Sequence, residues 1–233
     1  MEDNFRHEYK YLVSETALKM LEMRLKGIMK RDIHAGESGK YLIRSVYFDD
    51  IYDTSFRENA DGMDRHEKYR IRAYNGDPSF ISLEMKIKER GKTKKLSETI
   101  DKDLYRYLCF GEGKTDLISS MGNLSRKLMT CRKTRGLKPK IIVQYEREPY
   151  IMDAGNVRVT FDRYISASTH IDRMFEKNTY AFPVMPEGIH LLEVKWDDFL
   201  PGVIRDAISN DKLRHTSFSK YYLVRTMAHT MLS

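Results

Sequence analysis

The sequence predicts an α+β fold: a mostly antiparallel, eight-stranded sheet that closes into a barrel, with helices flanking it. Three observations predict it. Eight segments alternate apolar and polar residues with a period of two, short turn signals join neighbouring segments, and in five of them one face is charged while the other is apolar.

The strand segments are Phe5–Val13, Tyr41–Phe48, Glu67–Tyr74, Phe80–Lys88, Lys94–Ile100, Lys140–Met152, Val157–Ser166 and His190–Trp196. Helical spacing marks Glu15–Lys30, Tyr52–Asn59, Lys102–Phe110, Asp116–Arg132, Leu200–Asn210 and Ser219–Leu232, with Ser14 placed to cap the first. Asn75-Gly76-Asp77-Pro78 and Asp153-Ala154-Gly155-Asn156 supply hairpin chemistry, so the strands on either side of each pair antiparallel. No internal repeat, low-complexity tract or Pro/Gly/Ser linker interrupts the chain, which reads as one domain, 1–233.

Composition is that of an ordinary globular protein, with 41% hydrophobic residues in 233. No run of about 18 apolar residues occurs, and the charged start Met1–Lys10 lacks the apolar stretch of a signal peptide. A cytoplasmic protein is expected, reaching a membrane only through a partner such as a membrane protein. Cys109 and Cys131 lie in helical segments at no metal-ligand spacing and read as reduced structural thiols. A formal charge of +7 favours polyanionic partners without choosing among nucleic acid, lipid and phosphorylated metabolites.

The distribution of charge along the strands narrows that choice. Residues two apart in a strand share a face. Arg6, Glu8 and Lys10 stand opposite Phe5, His7, Tyr9 and Tyr11, while Lys68, Arg70 and Arg72 oppose Tyr69, Ile71 and Ala73. Ser82, Glu84, Lys86 and Lys88 oppose Ile81, Leu83, Met85 and Ile87. Arg158, Thr160 and Asp162 oppose Val157, Val159 and Phe161, and Glu193 and Lys195 oppose Leu192, Val194 and Trp196. One such strand is ordinarily a solvated outer face. Five of them, rich in Arg and Lys and poor in neutral polar residues, fit a closed sheet whose interior is charged, and only a bound polyanion with a metal makes such an interior tolerable.

The segments carrying these faces are Phe5-Arg6-His7-Glu8-Tyr9-Lys10-Tyr11, Val46-Tyr47-Phe48-Asp49 with Tyr52, Lys68-Tyr69-Arg70-Ile71-Arg72 and Leu83-Glu84-Met85-Lys86. They continue with Tyr145-Glu146-Arg147, Val157-Arg158-Val159-Thr160-Phe161-Asp162, Leu192-Glu193-Val194-Lys195 and Phe218-Ser219-Lys220-Tyr221. In order and spacing the chain resembles the triphosphate tunnel metalloenzyme (CYTH-like) superfamily, and within it the vacuolar transporter chaperone (VTC) polyphosphate polymerase domain. Hydrolases of that superfamily open with Glu-x-Glu-x-Lys; here Arg6 replaces the first Glu, as in the polymerase branch.

The resemblance implies a transferase that moves the γ-phosphate of ATP onto inorganic polyphosphate, with Mn²⁺ or Mg²⁺ as cofactor and no nucleic acid as partner. A triphosphatase and a non-catalytic polyphosphate receptor are the alternatives. Arg70, Arg72, Arg147 and Arg158 would give forked hydrogen bonds to phosphate, and Lys10, Lys86, Lys195 and Lys220 would act as point charges. Arg6, Lys88, Ser219 and Tyr47 would add substrate contacts, and Glu193, Glu8 and Glu84 would supply metal ligands.

Other signals point elsewhere. Gly111-Glu112-Gly113-Lys114-Thr115 lacks the first glycine of a phosphate loop, because Leu108 stands there. The basic run Arg126–Lys140 reads as a solvated helix face followed by a loop, Asp197-Asp198 as helix-start polarity, and the seven histidines form no i, i+4 metal pair.

Overall fold

The computed structural model describes all residues except 1–5, 61–65, 90–91, 114–116, 210–212 and 233. Phe5, Lys114, Thr115, Asp116 and Asn210, which figured in the sequence reading, fall outside that set. In chain order the elements are β1 (His7–Ser14), α1 (Glu15–Lys26), β2 (Lys30–Arg31), β3 (Tyr41–Asp49), α2 (Thr54–Ala60), β4 (His66–Tyr74) and β5 (Asp77–Glu89). Then come β6 (Lys92–Ile100), α3 (Lys102–Phe110), α4 (Leu117–Ser120), α5 (Asn123–Arg135), β7 (Lys138–Met152) and β8 (Val157–Ser168). The chain finishes with β9 (Phe182–Pro183), β10 (Ile189–Trp196), α6 (Gly202–Ile208) and α7 (Lys220–Leu232).

The strands form one sheet, hydrogen-bonded in the order β1-β10-β8-β7-β3-β4-β5-β6, with β2 beside β7 and β9 beside β8. The ladders whose registers are resolved are antiparallel. All eight expected strands are present. The two additional strands, β2 and β9, are two residues each, too short for a period to register. Ten strands therefore replace the expected eight, and no ladder joins β1 to β6 among the described residues, so closure into a barrel is not observed.

Two compact units make up the chain. The first comprises 1–42, 145–165 and 183–218. Its core is Val13, Val159, Phe161, Leu192 and Val194 from the apolar faces of β1, β8 and β10, packed with Leu18, Leu21 and Leu25 of α1 and Ile204 and Ile208 of α6. The three leucines recur at helical spacing, and burying each contributes about 1.5–3 kcal/mol. Ser14 caps α1 by accepting a hydrogen bond from the Ala17 amide at 3.3 Å, as expected. Gly155, at φ +70° in the turn between β7 and β8, lies so close to the Phe199 carbonyl that a Cβ there would collide with it.

The second unit comprises 43–144, 166–182 and 219–233. Its core joins Tyr69, Ile71, Leu83 and Met85 from β4 and β5 to Leu104, Leu108, Leu124 and Leu128 from α3 and α5. Asn75 and Gly76, both at positive φ, make the two-residue hairpin turn between β4 and β5. The expected helix Asp116–Arg132 is instead two helices, α4 and α5. Glu98 of β6 accounts for the second start: its carboxylate accepts from the Gly122, Leu124 and Ser125 amides at 3.2, 2.8 and 3.2 Å. Gly111 is the left-handed C-cap of α3, an ordinary helix stop. In α5, Leu124 and Leu128 enter the core while Arg126, Lys127 and Lys133 are exposed, the solvated face read from the sequence. Both cysteines are free thiols, and burial pushes that of Cys109 up to about 12.

Candidate functional site

In the first unit, strand alternation and register together write a grid on the charged face. Lys10, Glu193 and Thr160 form one row across β1, β10 and β8, and Glu8, Lys195 and Arg158 form the next. Unlike charges alternate along β1 and β10 and face one another between these two strands, which fixes their side chains in a network, while Lys195 faces Arg158 of β8. Lys195 Nζ lies 3.0 Å from Glu8 and 3.3 Å from Glu193, and Lys10 Nζ lies 3.3 Å from Glu8. Lys10 also donates to the Phe218 carbonyl at 3.0 Å.

Arg147 of β7 anchors this network. Its Nε and Nη2 donate to the two oxygens of Asp162, each at 2.7 Å, and Nη2 also reaches Glu193 at 3.2 Å. The guanidinium stands 5.3 Å from the centre of the Tyr145 ring. Burial works against this charge, yet Asp162, Tyr145 and Glu193 outweigh it and hold the pKa well above the usual arginine value. Arg158 donates to the Tyr41 hydroxyl at 2.9 Å and pairs with Asp32 at 2.9 Å. This face is no solvated exterior: Asp162 is 0% exposed, Thr160 2% and Glu193 5%.

The second unit carries a different balance. Arg70 pairs across β4 and β5 with Glu84, its Nε and Nη2 both 2.6 Å from Oε2. It also donates to the Tyr47 hydroxyl at 3.1 Å. Lys95 of β6 reaches Glu84 at 3.4 Å, and Arg72 donates to Ser45 at 3.3 Å. Tyr47 stacks on Tyr221 of α7 at 5.0 Å, and the Tyr221 hydroxyl donates to Asp49 at 2.6 Å. Burial pushes the Tyr47 pKa up, but Arg70, Arg72 and Lys220 overcome it and draw it below the ordinary tyrosine value. A buried phenol displaced in that direction marks a strongly positive local field.

Glu84 feels the same field. Its burial favours the neutral acid, but Arg70, Arg72 and Lys95 prevail and hold the carboxyl at about 2, against 4.5 in an unperturbed glutamate. The ionised form is therefore favoured in the folded chain. The stability it contributes is complete above about pH 4.5, is lost as pH falls toward about 2, and is on the order of 3 kcal/mol. Urea unfolding across that interval is expected to show the decline in the native sequence and a flatter profile in Glu84→Gln; parallel profiles would contradict the assignment.

Most of the residues expected at the site thus fall into two groups: Lys10, Arg147, Arg158, Lys195, Glu8 and Glu193 in one unit, and Arg70, Arg72, Lys220, Tyr47 and Glu84 in the other. Lys86 and Lys88 continue the β5 face beyond Glu84, Lys86 being exposed. Arg6 departs from expectation: it pairs with Asp197 at 2.7 Å and donates to the Asn156 carbonyl, contacts that hold it at the strand end. Asp197 is accordingly an ion-pair partner, four positions before Pro201, the residue that precedes α6. Ser219 accepts from the Tyr222 amide at 3.3 Å and so caps α7. Asp162 and Lys95 were missed as participants although strand alternation places both on the charged faces; Asp32 lies outside any strand and gave no signal.

Among the described residues, no group of three or more His, Cys, Asp and Glu side chains is arranged to hold a metal ion. The donor set still fits one shared with substrate. The carboxylates of Glu8 and Glu193 converge on a single cation, Lys195 Nζ, and Mg²⁺ or Mn²⁺ is commonly held by one or two carboxylates with phosphate oxygens completing the shell. Glu84 does not fit that role, since Arg70 and Lys95 take both its oxygens.

Comparison with known proteins adds a family. The family model described as the VTC domain matches residues 5–229. No curated protein matches. Among solved structures, a candidate adenylate cyclase from Bacillus halodurans has 14% identity and a TM-score of 0.45, covering 100% of this chain and 90% of its own. The PH1819 protein from Pyrococcus horikoshii OT3 has 14% identity and a TM-score of 0.45, covering 96% and 99%. PH1012 from the same organism has 13% identity and a TM-score of 0.46, covering 90% and 94%. These likenesses are loose, and family membership rests on the family model.

Proposed function

The chain belongs to the VTC-domain family, and from that premise we propose that it is a polyphosphate polymerase that transfers the γ-phosphate of ATP to the end of an inorganic polyphosphate chain. The observation carrying this reading is the burial of Glu193, Arg72 and Glu84 on strand faces whose opposite faces are apolar cores, with Arg147 buried beside Glu193. Around Glu84 the cations Arg70, Arg72 and Lys95 outweigh its charge, and a bound polyanion would offset that positive field. The full reading takes 1–233 as one domain that binds that polyanion.

The reaction asks the protein for position and charge rather than covalent help. A terminal phosphate oxygen of the growing chain, already ionised, attacks the γ-phosphorus. The bond from that phosphorus to the β,γ-bridging oxygen breaks, and ADP leaves with the electron pair. Arg147 and Arg158 present guanidinium groups to phosphoryl oxygens, and Lys10 and Lys195 add point charge. In the second unit, Arg70, Arg72 and Lys220 offer further guanidinium and ammonium groups to phosphate oxygens. Glu8 and Glu193 would hold Mn²⁺ or Mg²⁺, which when bound neutralises charge on the transferring phosphoryl group.

A second reading, hydrolysis of tripolyphosphate or a nucleoside triphosphate, is favoured by Glu8, a half-buried carboxylate placed to orient water. Incubation of purified protein with ATP and Mn²⁺ separates the readings. Polymerisation is expected to give chains that resist nuclease and yield to a polyphosphatase; free phosphate alone would replace it with hydrolysis, and unchanged ATP with a receptor. No helix among the described residues is long and apolar enough to cross a membrane. We place the protein in the cytoplasm, with a membrane-protein partner as its route to a membrane.

A further inference from the structure

Two buried polar atoms on the charged face of β8 have no hydrogen-bond partner among the described residues: Thr160 Oγ1 and Arg158 Nε. Thr160 is 2% exposed and stands opposite Glu193 in the ladder to β10. A threonine hydroxyl rotates freely to find an acceptor, and buried ones almost always have one. This one lies in a network rich in carboxylates and still makes no bond. Arg158 is similarly divided: Nη2 is engaged by Tyr41 and Asp32, while Nε is left bare.

Leaving a buried polar group unsatisfied destabilises the fold, and valine has the shape of threonine without the hydroxyl. The hydroxyl is therefore better explained by a ligand than by the fold. The two orphaned atoms belong to residues two apart on one strand face, about 6.6 Å along the strand, a span that one phosphoryl group can bridge with a hydrogen bond at each end. Both atoms are donors, and an orphaned pair of donors calls for an anion.

Building on the reading of this face as a phosphate site, we propose that Thr160 is a substrate-binding residue: its hydroxyl and Arg158 Nε donate to two different non-bridging oxygens of one phosphoryl group of the bound polyphosphate or triphosphate. Thr160 thus acts beside Glu193 as a neutral donor, which contacts phosphate without adding charge to a network already balanced.

The test uses the full chain and inorganic tripolyphosphate with Mg²⁺, measuring affinity by calorimetry and the Tm of the ligand-free protein. Thr160→Val is expected to weaken tripolyphosphate binding about 10-fold or more, with a ligand-free Tm equal to or above that of the native sequence. Thr160→Ser, which keeps the donor, is expected to bind within about 3-fold of native. Native affinity in Thr160→Val would overturn the assignment, as would a fall of several degrees in its ligand-free Tm, which would give the hydroxyl an internal structural role. If the native protein itself binds no tripolyphosphate, the phosphate reading of the face fails first and takes this inference with it.

Discussion

Replacing Asp162 with alanine is expected to destabilise the protein more than any other single change on the charged faces. Asp162 is fully buried and receives two hydrogen bonds from Arg147, at 2.7 Å each. Removing the acid strands a buried guanidinium, whose remaining carboxylate, Glu193 at 3.2 Å, is shared with Lys195. Breaking a buried pair from one side costs about 3–5 kcal/mol. In a chain of this size that corresponds to a fall in Tm of roughly 6–20 °C. Tripolyphosphate offers Arg147 a substitute anion, so the Tm gained on adding it should be larger in Asp162→Ala than in the native protein. A fall in Tm of less than about 2 °C would show that Arg147 does not depend on Asp162.

The second large effect is on turnover. Glu193→Ala removes one of the two carboxylates that converge on Lys195 and leaves Arg147 oriented by Asp162. If Glu193 holds the metal, turnover is expected to fall roughly 100-fold or more. Metal-free binding of triphosphate should be retained or tightened, because Lys195 and Arg147 lose a competing anion. The two effects have opposite signs, which separates a ligand role from general damage. Equal losses in both would make Glu193 a structural counter-ion, and a native protein without turnover would be a receptor.

Alternation carried most of this fold because a strand with an apolar core on one side and charge on the other repeats every second residue. Leu83, Met85 and Ile87 against Glu84, Lys86 and Lys88 left little choice of face. The reading failed where charge sits on the core side. Arg163 shares the helix-facing side of β8 with Phe161 and is held by Glu15 of α1 at 2.9 Å, and Arg44 is buried against Gln144 and the Met174 carbonyl. Their partners lie 148, 100 and 130 positions away, beyond the reach of any local pattern.

The balance of the site was legible only in part. Counting Arg and Lys by strand pointed to cation-rich faces throughout. That holds beside Arg70, Arg72, Lys95 and Lys220, where Glu84 stands among several cations. Beside Arg147 and Arg158 it does not, because Asp162 and Asp32 join Glu8 and Glu193 there. The place of Arg6 in the strand points to the phosphate site, but its ion pair with Asp197 at 2.7 Å and its bond to the Asn156 carbonyl hold the guanidinium at the strand end.

The central claim is that phosphate lies against these buried charged faces. A crystal structure of the protein with a non-hydrolysable ATP analogue and Mn²⁺ tests it most directly. Triphosphate density within hydrogen-bond reach of Arg147, Arg158 or Lys195, with the metal on Glu8 and Glu193, is the predicted result. Triphosphate held instead in the open cleft between Lys102, Arg106 and Phe175, on the opposite side of β5 from Glu84, would contradict it.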